Sequence, residues 1–163
     1  MGSQGIMYRF LVLSVFLALS QLAYGDSDPP PATDAAALYV TLKGNFLGLT
    51  LEVPASAAIL LDSKTPTVAN KIEQLTGVLK YTYGIFSFPA KAACYRKHLD
   101  VTSSDAPGVV AHWQFECKHP EHLDRISTEI FSLMNLHSIE AVINPDGQGR
   151  LWPDAPSLRL DQE

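Results

Sequence analysis

The sequence predicts an α/β fold, more closely an α+β sandwich, in which two pseudo-symmetric β-β-α-β halves share one core. Three observations carry this prediction. Apolar and polar residues alternate along several short runs, the period of a strand with one buried face. Two longer stretches carry apolar residues at spacings of three and four, the stripe of an amphipathic helix. A shift of 64 residues carries Leu47, Leu49, Leu51 and Val53 onto Ala111, Trp113, Phe115 and Cys117. The same shift carries Glu52 onto Glu116, Phe88 onto Trp152 and Pro89 onto Pro153. Two copies of a unit are too few for a solenoid, so the halves are expected to share their apolar faces.

The elements follow in order. Leu38, Val40 and Leu42 alternate with Tyr39, Thr41 and Lys43, and Leu47, Leu49, Leu51 and Val53 alternate next. Gly44-Asn45 between them supplies a tight turn, so the two runs read as a β-hairpin. Thr65-Pro66 has the form of a helix start, a capping hydroxyl followed by proline at the first helical position. Val68, Ile72, Leu75 and Leu79 form the stripe of that helix, and Gly77 weakens its end. An aromatic run, Tyr81–Phe88, closes at Pro89. Ala92–Leu99 reads as a third strand, Val101–Gly108 as a loop, and Val109 to Cys117 as a fourth strand. Pro120 opens a second helix with Leu123, Ile126, Ile130 and Leu133 as its stripe. Ile139–Ile143 is a strand, Asn144-Pro145-Asp146-Gly147 a turn, Gly149–Trp152 a returning strand, and Ser157–Leu160 closes the domain.

The start of the chain has a different character. Arg9 is the one charged residue among the first 25, an apolar run Phe10–Leu19 follows, and Ala23-Tyr24-Gly25 is a small-residue exit. These are the three parts of a cleavable signal peptide, with cleavage expected between Gly25 and Asp26 and Met1 or Met7 as the start. The competing reading is an uncleaved anchor, but the run falls short of the roughly 20 apolar residues a spanning helix needs. Residues 26–35, which include DSDPPPATD, read as a disordered Pro/Asp-rich leader. Residues 36–163 then form a single domain, and no later stretch is long and apolar enough to span a membrane.

After residue 25 there are 11 bases against 17 acids, a net charge of −6. That balance argues against nucleic acid and anionic lipid as partners. The chain has two cysteines, Cys94 and Cys117. In an exported protein an even count suggests a bridge, the alternative being a pair of buried free thiols. A bridge closing a loop of about 20 residues is worth about 3 kcal/mol in the chain-entropy model.

Catalytic signals are missing. Gly147-Gln148-Gly149 follows a strand, but a hairpin turn accounts for it and its neighbours do not suit a dinucleotide fold. No Gly-x-Ser-x-Gly element occurs, and nothing groups serine, histidine and aspartate. No enzyme activity is expected. The five histidines are His98, His112, His119, His122 and His137. His119 and His122 lie three apart at the expected start of the second helix, with Glu116, Glu121 and Asp124 near in sequence. That spacing can put two imidazoles on one face for zinc, with Glu116 as the first carboxylate to complete the set. It also suits a polar, solvated helix start. If Cys94 and Cys117 are directly opposite in an antiparallel pair, His98 faces Trp113 and His112 points to the other side of the sheet.

The ordered set of LYVTLKGNFLGLTLEVPA, the aromatic-Pro-Ala run ending at Cys94, FECKHPEHL and INPDGQGRLWPDAPSLRL resembles the bacterial periplasmic zinc-associated family typified by the zinc-regulated, zinc-binding protein ZrgA. The resemblance runs from about Leu38 to Leu160. It implies a periplasmic, non-enzymatic accessory of zinc uptake that works beside envelope zinc-transport components, on a two-fold pseudo-symmetric α/β fold. It also implies that the family's cysteine pair is Cys94 and Cys117. The family's His-x-His-Gly element has no counterpart near Asp34–Leu38. Its Phe-Glu-His element is replaced by Leu61-Asp62-Ser63, and its His/Asp-rich insert by the short Val101–Gly108 loop with Asp105 alone. No family metal ligand therefore carries over by position, so metal binding is expected to be weak or lost, with no cofactor certain and zinc the one considered. The alternatives are an envelope interaction module that binds no metal, and an enzyme of unrecognised type.

Overall fold

The computed structural model describes residues 35–57, 67–103, 108–145 and 147–160. The expected cleavage point at Gly25 and Asp26, the Pro/Asp-rich leader up to residue 34, Leu61-Asp62-Ser63, Thr65-Pro66, Asp105 and Asp146 lie outside them.

Nine strands form two sheets among the described residues. The strands are β1 (Ala35–Lys43), β2 (Phe46–Pro54), β3 (Phe86–Ser87), β4 (Cys94–Ser103), β5 (Gly108–Cys117), β6 (Arg125–Thr128), β7 (Ser138–Asn144), β8 (Gly147–Leu151) and β9 (Ser157–Arg159). Two helices accompany them, α1 (Val68–Tyr81) and the single turn α2 (Ile130–Leu133). The larger sheet has the order β4-β5-β2-β1-β7-β8, and the smaller β3-β6-β9. Every pairing is antiparallel except that of β1 with β7. The α+β sandwich expected from the sequence is the fold observed.

The alternation of the first hairpin translates directly into burial. Leu38, Val40, Leu47, Leu49, Leu51 and Val53 are buried, whereas Tyr39 and Phe46 face outward. Lys43 pairs with Phe46, leaving Gly44-Asn45 as a two-residue loop. Gly44 has φ +60, so the first loop position is one that a residue with a Cβ rarely adopts. β2 then pairs along its length with β5, from Phe46 opposite Glu116 to Pro54 opposite Gly108. Within this ladder Leu49 is opposite Trp113, the same two residues that the 64-residue shift superposes. At the far end a Cβ on residue 108 would stand 2.6 Å from the Val53 carbonyl oxygen, so glycine alone fits that approach.

Helix α1 starts two residues later than the sequence suggests. Thr67 is the cap, its hydroxyl accepting from the Asn70 N–H at 3.3 Å. Leu75 and Leu79 are fully buried and Ile72 packs against the core, but Val68 is 56% exposed. The stripe thus engages only after the first turn. The helix runs through Gly77 to Tyr81 and lies against β4 and β5.

The second half departs from the expected helix. Pro120–His122 is a 3-10 turn, Ile126 sits in strand β6, and only Ile130–Leu133 is α-helical. Leu123, Ile126 and Ile130 are buried as predicted, by a different route. Residues 125–128 pair with both β3 and β9. The buried Thr128 hydroxyl donates to the Ile85 carbonyl at 2.9 Å and accepts from the Ile130 N–H at 3.2 Å. A continuous helix would forfeit both ladders and that side-chain bridge; tertiary pairing overrides the local period.

Strand β4 is longer than expected. It runs on through Val101, Thr102 and Ser103, which the sequence reads as the start of a loop, and β5 begins at Gly108, which it reads as that loop's end. Cys94 is opposite Cys117, and the two are bonded. A bulge between Arg96 and His98 shifts the register, so His98 faces Gln114 rather than Trp113, and Leu99 takes the place opposite Trp113. On the shifted register His98 and His112 share the exposed side of the sheet, correcting the inference that they point apart. The buried side carries the largest ring. Trp113 is 2% exposed and meets Phe86 edge-on with centroids 5.1 Å apart, beside a second edge-on pair, Phe88 and Phe115, at 4.7 Å.

Urea denaturation should order three variants. Trp113→Ala should lose about 3–5 kcal/mol as a large core truncation. Cys94→Ala should lose about 2–4 kcal/mol in oxidising buffer, with two wild-type thiols detectable only after reduction. Val68→Ala, in the exposed first turn of α1, should stay within about 0.5 kcal/mol of wild type.

Candidate functional site

The bonded cysteines end β4 and β5 together and bring two short turns into contact. The Lys118 N–H donates to the Ala93 carbonyl at 3.4 Å, and the His119 N–H to the Ala92 carbonyl at 3.1 Å. The turn Ala90–Ala92 therefore carries the turn Pro120–His122. Ala93 has φ +49, a left-handed conformation that a residue with a Cβ adopts at a cost. It is held between the 3-10 turn and the disulfide.

His119 and His122 flank Glu121 on this support. Their ring centroids are 6.2 Å apart and tilted by 46°. The Glu121 carboxylate lies 3.3 Å from His119 Nδ1. Glu121 is held below the ordinary carboxyl value, first by its own backbone N–H and then by His119. The His119 side chain is 57% exposed. With zinc-to-nitrogen distances of about 2.0–2.1 Å, two imidazoles on one tetrahedral ion would have ring centres about 5 Å apart. The observed separation is about 1 Å wider, so the pair would have to close to share an ion.

The remaining candidates are engaged elsewhere. Glu116 Oε2 lies 3.2 Å from Lys97 Nζ, and its Oε1 accepts from the Asn45 side chain at 3.4 Å. The Tyr95 hydroxyl, then Lys97, hold the Glu116 carboxyl below its ordinary value, and Glu116 in return raises both partners. Asp124 is 3.6 Å from Arg125. Glu121, not Glu116, is thus the carboxylate that the fold places against His119. No group of three or more His, Cys, Asp or Glu side chains among the described residues converges tightly enough to hold a metal ion without rearrangement.

The other three histidines are separate. His98 is exposed on the edge strand. His112 Nδ1 lies 2.8 Å from the Thr50 hydroxyl across the β2–β5 ladder. His137 meets Trp152 edge-on at 5.4 Å, beside an open cleft bounded by Asn135 and Asp154. The bulge that aligns His98 with His112 has no signal in the residue pattern.

The Glu116 cluster has a definite pH sign. Its carboxyl is lowered in the fold, so its contribution is present above the unfolded carboxyl value and is lost as pH falls through the folded one. Glu116→Gln should therefore narrow the gap in urea midpoint between pH 7 and acid. Paired urea denaturation series of wild type and variant at the two pH values would check it.

Among the described residues no helix is long and apolar enough to cross a membrane. A comparison with curated proteins returns no match. The family model described as ZrgA family zinc uptake protein matches residues 32–160. On that match, which covers most of the sequence, the chain belongs to the ZrgA family of zinc uptake proteins.

Proposed function

We propose that this protein is a non-enzymatic periplasmic accessory of zinc uptake, one that takes zinc loosely on His119 and His122 with Glu121 and passes it to envelope transport components. The observation that carries this reading is the turn itself, with two imidazoles 6.2 Å apart and a carboxylate on one of them. The family match supplies the zinc-related role. The expected export signal, Met1–Gly25, would deliver the chain to an oxidising compartment, which suits the Cys94–Cys117 bond.

Two histidines and one carboxylate leave one position of a tetrahedral ion to water or to a donor from a partner. An exposed, incomplete site binds weakly and releases easily, which fits handing zinc on better than storing it. A second reading keeps the fold and drops the metal: an envelope interaction module. Its support is that no three ligands are gathered in advance among the described residues.

Two measurements test this. Equilibrium dialysis of the chain from residue 26 should give zinc affinity in the micromolar range or weaker, abolished in the His119→Ala, His122→Ala double variant. Undetectable binding would favour the interaction module, and nanomolar binding that survives the double substitution would place the site elsewhere. N-terminal sequencing of protein from a periplasmic fraction should begin at Asp26; an intact start at Met1 or Met7 in the membrane fraction would remove the export step.

A further inference from the structure

A cleft unrelated to the histidine turn opens on the edge of the larger sheet. It has a volume of about 300 Å³, and its lining includes Thr82, Tyr83, Phe86, Arg96, Trp113 and Phe115. One wall is the segment leaving α1, turned by Gly84 at φ +78. The edge-on pair Phe86 and Trp113 is part of its lining. Arg96 is opposite Phe115 on β4, immediately before the bulge. That position keeps its side chain on the aromatic side of the strand, while Lys97 pairs with Glu116. The Arg96 guanidinium lies 4.9 Å from the centre of the Tyr83 ring. It has no carboxylate partner among the described residues, in contrast to Arg125 and Arg150. Tyr83 is 83% exposed, an unusual place for a large ring unless something else covers it.

We infer that this cleft is a binding site for a small aryl carboxylate, with the ring seated over Phe86 and Trp113 and the carboxylate paired to Arg96. The volume is at the lower end for ligand pockets and suits a molecule of about ten to fifteen non-hydrogen atoms. Guanidinium is the side chain best matched to a carboxylate, since it offers parallel N–H donors in a fixed fork. Stacking on Tyr83 orients that fork before the ligand arrives. The aromatic lining supplies ring contacts that a bare anion cannot use. A cation at the cleft mouth also selects against amines of the same shape. This site is independent of zinc and of the reading given above.

Phenylacetate is the probe, with phenylethylamine and inorganic phosphate as comparators. Binding is read by fluorescence in a Trp152→Phe background, where Trp113 is the remaining indole, and by amide shifts in NMR spectra. Phenylacetate should bind saturably, with shifts centred on residues 82–86 and on Arg96. Arg96→Gln should weaken it at least tenfold with an unchanged circular dichroism spectrum, and Arg96→Lys should weaken it less. Tyr83→Ala should also lower affinity, since it frees the guanidinium from its stack. Absence of saturable phenylacetate binding would overturn the assignment. So would equal binding of phenylethylamine, equal binding of phosphate, or affinity unchanged by Arg96→Gln.

Discussion

The pairing of β2 with β5 is the constraint on which the rest of the molecule depends. It joins two hairpins that are far apart in sequence, β1–β2 and β4–β5, into one continuous surface. Because side chains alternate across a strand, this single register decides which residues of four strands face inward. Slipped by one, it would turn Leu47, Leu49, Leu51 and Val53 into solvent and bring Thr50 and Glu52 into the core. The apolar face it creates is what α1 and the smaller sheet cover. Both ends of the pairing are fixed: Gly108 permits the close approach at one, and at the other the Cys117 N–H donates to the Asn45 carbonyl at 2.8 Å.

The covalent bond lies at that second end, and so does the histidine turn. One residue, Lys118, separates Cys117 from His119, and backbone hydrogen bonds from Lys118 and His119 run to the residues just before Cys94. The position of the imidazoles is therefore set by the sheet and the disulfide together, although their rings are exposed. A support fixed by the sheet and the disulfide beneath exposed side chains suits the transient cation site proposed above.

Much of this was legible in the residues. The strand alternation from Leu38 to Val53 and from Val109 to Cys117 is backed by burial on one face, so period and structure agree. The stripe from Leu123 to Leu133 misled because Leu123, Ile126 and Ile130 are buried in either conformation. What separates the two is the partner of residues 125–128, and a ladder to β3 and β9 leaves no mark on local spacing. The bulge after Arg96 is similar, since one additional residue in an exposed edge strand alters no apolar pattern. Glu116 and Glu121 could not be ranked as ligands from sequence, because the choice rests on Lys97 and Tyr95, which only the strand pairing brings to Glu116.

The parallel pairing of β1 with β7 dictates an order of assembly. A chain that emerges N-terminus first, from a ribosome or through a channel, can close the β1–β2 hairpin at once, because its contacts are local. Both outer edges of that hairpin then stay bare, one awaiting β5 and the other awaiting β7, which arrives only after most of the domain has been threaded out. During that interval a row of leucines and two unpaired backbone ladders face whatever else is present, the geometry by which nascent strands adhere to one another. A protein with this topology needs either rapid delivery of its C-terminal third or a holdase at the point of exit, and truncation before β7 would leave a sticky half-sheet rather than a smaller soluble domain.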